Sequence, residues 1–207
     1  SLEAAGSALF PKLLGTYELE LGPVMQHIVQ TPYDTVVDVG CAEGYYANGL
    51  ALRIPGARVY AFDVSPRARE LCREMAVANG VADRVEIRAA CTPDELIRLP
   101  LGNRALIVSD CEGYEHHLFT EECAAALRPH DVLIEVHAFT NPDIPVLLRR
   151  RFRATHHIQS ITSTDDADKP SLCPWPGLGG YAEEERRALL AEGRPAFMEW
   201  LWMTPLS

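Results

Sequence analysis

The chain has little positive charge: 19 Lys and Arg stand against 29 Asp and Glu, a formal net charge of −10 over 207 residues. A long phosphate backbone demands a basic face on its partner, so this balance argues against RNA or DNA as a bound polymer. The one concentrated basic run, "LLRRRFR" from Leu147 to Arg153, reads as the polar face of a helix. Long apolar runs are missing as well: nothing approaches the ~20 residues of a membrane span, and no basic, apolar, small-residue leader opens the chain. No membrane partner is expected. Cys41, Cys72, Cys91, Cys111, Cys123 and Cys173 form neither a CxxC pair nor a His/Cys ladder of zinc spacing. Several fall inside apolar patterns, where a free thiol packs as a small hydrophobe, and a reduced, cytoplasmic setting is the simplest expectation. Internal repeats and low-complexity segments are absent too.

What is present is an alternation of short β-rich runs with helical stretches. "TVVDVG" (Thr35 to Gly40) precedes a helix from about Tyr45, and "ARVYAFDV" (Ala57 to Val64) precedes "SPRARELCREMAVANG". In the latter, Ser65 caps, Pro66 takes the first helical position and Gly80 ends the helix. "RVEIRAA", "RALIVSD" and "DVLIEVH" each lead into a further helical pattern: "TPDELIRL" with Thr92 as cap, "EHHLFTEECAAALRP", and "NPDIPVLLRRRF". Continuous apolar runs suit parallel strands buried on both faces, and the five strand-then-helix units predict a doubly wound α/β sheet. The tail differs. "THHIQSITS" reads as another strand, a Pro- and Gly-rich loop and a charged helix follow, and "PAFMEWLWMTP" reads as a last strand placed antiparallel at the sheet's end. Its tryptophans either cap the core or meet a second subunit, which would make a homodimer. Residues 1–34 are read as an N-terminal helical cap and 35–207 as the body of a single domain.

"VVDVGCAEGYYANGLA" (Val36 to Ala51) poses the functional question. A strand, a glycine turn and a helix form a nucleotide pocket, but the G-x-G-x-x-G spacing of a dinucleotide site is missing here. Asp38 and Glu43 flank the turn, and two carboxylates would repel a pyrophosphate. They suit a ligand carrying an ammonium and a sulfonium, which is S-adenosylmethionine. Asp63, about 20 residues past the turn and at the end of the second strand, is placed to accept from ribose hydroxyls. By position, Gly40, Cys41, Ala42, Gly44, Tyr45 and Val64 surround this ligand, and Ala90 and Cys91 lie against its adenine.

The string "DVGCAEGYYANGLA" with "AFDVSP" resembles the cofactor half of class I S-adenosylmethionine-dependent methyltransferases. "VSDCEGYEHHLF" and "VLIEVH" resemble, more narrowly, the FkbM family, whose pattern is an acid–x–Glu–Gly–Tyr–Glu segment after the fourth strand and an acidic–x–His end to the fifth. The resemblance runs from Thr35 to His137. It implies a seven-stranded, mostly parallel, Rossmann-like sheet with the last strand antiparallel. It also implies methylation of hydroxyls, often on sugars or secondary metabolites. Carried across, Asp38, Gly40 and Gly44 would hold the methionine end, Asp63 the ribose, and Asp110 would sit beside the transferring methyl.

Methyl transfer to an alcohol requires in-line alignment, exclusion of water and removal of a proton. Asp110 and Glu112 follow the fourth strand, and Glu135 and His137 end the fifth on one face of it, so these groups are the catalytic candidates. Three readings stand side by side. His137 or Asp110 is a general base; or Asp110, Glu135 and His137 gather a divalent cation such as Mg2+; or the acids bond backbone N–H groups and order the loop. Gly113 allows a sharp turn, and Tyr114 either stacks on substrate or packs. Tyr17 and Glu18 either cover the methionine end or belong to an amphipathic helix. His116 and His117 read as surface residues, His156 and His157 as structural, and Trp175 as the loop aromatic placed to touch substrate. The expected partner is a small-molecule acceptor. The alternatives are an RNA or protein methyltransferase and a catalytically silent cofactor-binding subunit.

Overall fold

The computed structural model describes residues 4–173, 176–194 and 196–206. Its frame is a seven-stranded sheet in the order β3-β2-β1-β4-β5-β7-β6. The strands are β1 Thr35–Val39, β2 Arg58–Phe62, β3 Val85–Arg88, β4 Ala105–Ser109, β5 Asp131–Val136, β6 His156–Thr162 and β7 Glu199–Pro205. β1 to β5 run parallel, and β7 lies antiparallel to both β5 and β6. The expected sheet and its antiparallel last strand are therefore present, with β7 slotted inside β6 rather than at the edge.

Every residue of β1, β4 and β5 is buried, which is why these segments read as unbroken apolar runs. Alternate residues serve opposite faces. Val37, Val39, Ile107, Val132 and Ile134 join one core, and Val36, Leu106, Val108 and Leu133 the other. Edge strand β6 is mostly solvent-facing, and its pattern is accordingly more polar. Trp200 and Trp202 of β7 are buried in the second core, so these rings cap the chain's own interior.

The helices start where the sequence signals them. α4, Pro66–Ala78, begins with Ser65 Oγ accepting from the Ala68 N–H, and α5, Pro93–Arg98, carries a full capping box between Thr92 and Glu95. α3 spans Tyr45–Arg53 and α8 spans Ile144–Phe152. One expected helix is in fact two. α6 (Glu115–Leu118) stops, and Thr120 Oγ1 caps a separate α7 (Glu121–Ala126), because a threonine at that point competes for the backbone N–H of Cys123. The N-terminal segment forms α1 (Leu9–Leu14), a short 3-10 turn (Leu19–Leu21) and α2 (Gly22–Gln30), and the tail adds α9 (Lys169–Leu172) and α10 (Glu183–Leu190). The basic run lies on α8, with Arg149 paired to Glu199 and Arg151 donating to the carbonyls of His116 and Phe119, so two of its arginines pin neighbouring elements. All six cysteines are free. Among the described residues no helix is long and apolar enough to cross a membrane.

Candidate active site

In a parallel sheet the strand ends all open on the same side, and here the carboxyl ends of β1, β2, β4 and β5 surround a cavity of about 860 Å³. That volume suits a nucleoside-sized ligand with an acceptor beside it. Gly40 begins the turn after β1 with φ +86°, and a Cβ at this position would lie 1.6 Å from the Asp110 carbonyl oxygen. Only hydrogen fits. The chain then passes through Ala42 at φ +48° and Gly44 at φ +90° before α3 starts. Asp63 fixes this turn: its Oδ2 accepts from the Ala42 N–H at 2.9 Å, and its Oδ1 accepts from the Ser65 N–H at 2.8 Å. Each oxygen keeps a lone pair for a ligand hydroxyl.

Of the residues assigned to the cofactor, Gly40, Cys41, Ala42, Tyr45, Asp63, Val64, Cys91 and Asp110 line the cavity. Ala90 lines it too, while Asp38 and Gly44 do not. Asp38 points toward α3, is 2% exposed, and leaves its Oδ2 without a partner. The cradle at Gly40, which admits no side chain, fits a cofactor lying close against the main chain. Cys41 and Cys91 contribute apolar wall, since burial pushes the Cys91 thiol up to about 12 and hydrogen bonding to Cys72 together with burial raises Cys41.

Glu43 is otherwise engaged. Its buried carboxylate takes an ion pair from Lys12 at 2.5 Å and the Ala5 N–H at 3.0 Å, so it anchors the N-terminal segment over the cavity. Lys12 Nζ also sits 4.6 Å from the Tyr17 ring centroid and 5.1 Å from that of Tyr45. Tyr17 lines the cavity and meets Tyr45 edge-on. The "LLGTYELEL" stretch is not one amphipathic helix, because Gly15 ends α1 in the left-handed region and Glu18 follows at φ +51°. Among the described residues, the positive-φ residues other than glycine, Glu18, Ala42 and Glu112, all lie on segments bordering this cavity, where strain held by surrounding structure is concentrated.

At the far end of the cavity, β4 and β5 bring the catalytic candidates together. Asp110, Glu135 and His137 each present a ligand atom, all within 4.8 Å of one another. His137 is 2% exposed. Its Nδ1 donates to Glu115 Oε1 at 2.7 Å, and its Nε2 lies 3.4 Å from Asp110 and 3.5 Å from Glu112. Burial works against charge on both members of the His137–Glu115 pair, but their mutual contact outweighs it: His137 is held above the usual imidazole range and Glu115 below the carboxylate range. Glu135 behaves oppositely. Burial, then the charges of Asp110 and Glu18, push it well above the usual carboxylate range, against the pull of Arg194. Burial likewise raises Asp110 and Glu18.

Arg194, in the loop before β7, enters this acid cluster. It donates to Glu192 at 2.8 Å and Glu135 at 3.1 Å, and stands 3.5 Å from Glu18 and 3.4 Å from Glu20. Glu192 in turn receives buried Lys169 and the Glu18 N–H. None of Lys12, Glu115, Lys169, Glu192 and Arg194 was assigned a part from the sequence, since all of these contacts except Arg194–Glu192 join segments remote in the chain. His116 donates to the Gly113 carbonyl, and His156 is buried with Nε2 on the His130 carbonyl. Trp175 lies outside the described residues.

Comparison with known proteins addresses the same region. The matching family model is described as a methyltransferase domain and covers residues 36–130. This chain contains a class I S-adenosylmethionine-dependent methyltransferase domain. A crystal structure of an S-adenosylmethionine-dependent methyltransferase from Geobacter sulfurreducens, in complex with S-adenosyl-L-homocysteine, superposes with a TM-score of 0.55 at 19% identity over 91% of each chain. Similarity in sequence extends to the release factor glutamine methyltransferase of Chlorobaculum tepidum, 41% identical over 33% of this chain and 25% of that protein. It also extends to a tRNA1(Val) (adenine(37)-N6)-methyltransferase of Porphyromonas gingivalis, 29% identical over 58% of this chain and 45% of that protein. The chain thus spans less than half the length of these curated relatives. The stretch it shares with the methyltransferase domain runs from within β1 to the residue before β5.

The buried acids give this methyltransferase domain a pH-dependent stability. Burial raises Asp38 to about 7. An acid whose folded pKa lies above its unfolded value binds its proton more tightly in the fold. Its stabilising effect is complete below the unfolded value, ~4, and is lost as pH rises through the folded one. Between pH 6 and pH 8 this group alone should cost on the order of 1 kcal/mol, a few degrees in melting temperature. Melting of the cofactor-free protein should therefore fall from pH 6 to pH 8, and Asp38→Asn should flatten the change. An equally steep profile in that variant would remove Asp38 as its source.

Proposed function

We propose that this methyltransferase transfers the methyl group of S-adenosylmethionine to a hydroxyl of a small molecule, with His137 as general base. The observation that carries the reading is the His137–Glu115 pair: a buried imidazole fixed through Nδ1, its Nε2 left facing the cavity beside Asp110. When bound, the cofactor supplies a methyl on a sulfonium, an electrophile that needs no activation by the protein. His137 Nε2 takes the hydroxyl proton, and Glu115 stabilises the imidazolium that results. Asp110 accepts from the acceptor or the imidazolium, and an acceptor seated in the cavity displaces the water that would compete. An amine already present as its free base has no comparable use for this buried base, which favours a hydroxyl. The net charge of −10 counts against an RNA acceptor. The likeness of "DCEGYE" and "EVH" to the FkbM family supports a sugar or secondary metabolite as acceptor. Six free thiols support work in a reduced, cytoplasmic setting.

A second reading has one specific observation behind it. The convergence of Asp110, Glu135 and His137 offers a donor set for Mg2+, which would polarise the acceptor hydroxyl. The Arg194 guanidinium on Glu135 weighs against it. The test supplies methyl-labelled cofactor and an extract of the host to the purified protein, with Mg2+ or with chelator. Label should enter the small-molecule fraction at similar rates under both conditions. A requirement for Mg2+ would replace the base by the metal, and label in protein or RNA would overturn the acceptor class.

A further inference from the structure

Two aromatic side chains at the mouth of the cavity are not used by the chemistry above. Tyr114 is 41% exposed and Phe139 is 53% exposed, yet both line the cavity together with Asp110, Glu112 and His137. They stand on different loops, one after β4 and one after β5, and these loops pack closely at Gly113 and Thr140. Gly113, at φ +101°, leaves room for Thr140: a Cβ there would lie 2.6 Å from Thr140 Oγ1. Thr140 Oγ1 in turn donates to the His137 carbonyl at 2.7 Å. Tyr114 and Phe139 are the immediate neighbours of that contact. The Phe139 ring meets the His137 ring edge-on at 5.7 Å, so this aromatic surface begins where the base is. Large apolar rings left half open beside a catalytic group offer a planar ligand two faces to pack against.

Charge narrows the ligand further. Among the described residues, the lysine and the arginine that line the cavity are both spent on carboxylates of the protein itself. Lys12 is paired with Glu43, and Arg194 with Glu18, Glu20, Glu135 and Glu192. An acceptor bearing a carboxylate or phosphate would meet Asp110, Glu112, Glu135 and Glu192 on the lining, with no unpaired lysine or arginine among the described residues there to receive it. Acid strength points the same way. A phenol, pKa about 10, gives up its proton to a neighbouring base far more readily than an aliphatic hydroxyl, which resembles water at about 15.7.

We propose that Tyr114 and Phe139 clamp a planar aromatic ring that carries a hydroxyl and no anionic substituent, and that this phenolic ring is the methyl acceptor. The proposal rests on the hydroxyl-transfer reading and narrows it. In the step, the phenolic O–H bond breaks and its proton passes to His137 Nε2. The oxygen forms the new bond to the methyl carbon while the S–CH3 bond breaks, and the sulfur leaves with that electron pair as a neutral thioether.

Four probes separate the terms: catechol, dopamine, 3,4-dihydroxybenzoate and cis-cyclohexane-1,2-diol. The diol keeps two adjacent hydroxyls but has no aromatic face, and the benzoate keeps the face but adds a carboxylate. Labelled-methyl kinetics should give catechol and dopamine a kcat/KM at least tenfold above the benzoate and a hundredfold above the diol. Tyr114→Ala combined with Phe139→Ala should raise the KM for catechol about 5- to 100-fold. The same variant should leave kcat within about threefold, and Phe139→Tyr should restore most of the loss. Calorimetric binding of catechol to the protein loaded with S-adenosylhomocysteine should weaken in step with KM. A diol or benzoate turned over as well as catechol would overturn the clamp while leaving hydroxyl transfer standing, as would an unchanged KM in the double variant. Catechol binding that depends on both rings, with no label transferred to any probe, would support the clamp and remove hydroxyl transfer. Neither binding nor label would overturn both.

Discussion

Replacing His137 with Gln should lower kcat by about 10²- to 10⁴-fold and leave the dissociation constant for the cofactor within about threefold. The glutamine amide fills part of the ring's volume and can still donate to Glu115, so the buried carboxylate is not stranded. What it cannot do is accept a proton. Glu115→Gln should have a smaller effect, about tenfold, with a signature that a merely structural residue would lack. Glu115 holds His137 above its ordinary pKa, and the base works only when neutral. In the native enzyme kcat should therefore rise with pH through a limb above the usual imidazole value of about 6.5. Removing the Glu115 charge lowers the folded pKa of His137 and shifts that limb toward lower pH. Stopped assays with labelled cofactor from pH 5.5 to 9 would trace it. A His137→Gln enzyme with native kcat would sink the base assignment and leave Asp110, Glu135 and His137 as loop-ordering or cation-holding groups.

Gly40→Ala should be the most damaging single change in the cofactor half. The added carbon would sit 1.6 Å from the Asp110 carbonyl oxygen, half of any permitted contact, and that oxygen is main chain. Neither side can yield cheaply, because the Gly40 N–H donates to the Phe62 carbonyl at 2.8 Å and the Asp110 N–H to the Val39 carbonyl at 2.9 Å. The left-handed φ adds roughly 1–2 kcal/mol for any residue with a Cβ. Together the strain and the displaced loop should cost about 3 kcal/mol or more of stability. Affinity for the cofactor should drop at least about a hundredfold, since the turn and the Asp110 loop bound the same cavity. Gly49→Ala is the control. It lies in α3 with nothing within 4 Å of the added carbon, so it should be neutral or stabilising by up to about 1 kcal/mol. Equilibrium denaturation and calorimetric titration of the cofactor would compare the two. Equal affinity in both variants would show that the turn after β1 does not hold it.

The parts of this protein that could be read from its sequence are those fixed by neighbours within a few residues. Ser65 with Pro66, and Thr92 with Glu95, announce helix starts because a cap bonds backbone groups only three positions away. The buried runs of β1, β4 and β5 announce central strands because both faces need apolar side chains. The Gly40 turn and Asp63 were legible for the same reason, since a strand–turn–helix unit is local and the next strand is one helix away. Even the split between α6 and α7 had a local cause in Thr120, which the unbroken helical pattern concealed.

The electrostatic shape of the site was decided only in three dimensions. Lys12 looks like any surface lysine until α1 is folded back onto Glu43, and Arg194 like any loop arginine until β7 enters the sheet beside β5. The Glu18 N–H and Glu192 meet across 174 positions of sequence, a distance over which no periodicity carries information. Glu115 sits in plain view in "EGYE", yet its burial and its bond to His137 follow from the pairing of β4 with β5. Sequence alone determined that a glycine turn at the end of β1 and an acid at the end of β2 would open on one pocket. Which carboxylates keep their protons and which side chain is free to take one depended on the packing of remote segments, because burial and pairing set the cost of each charge.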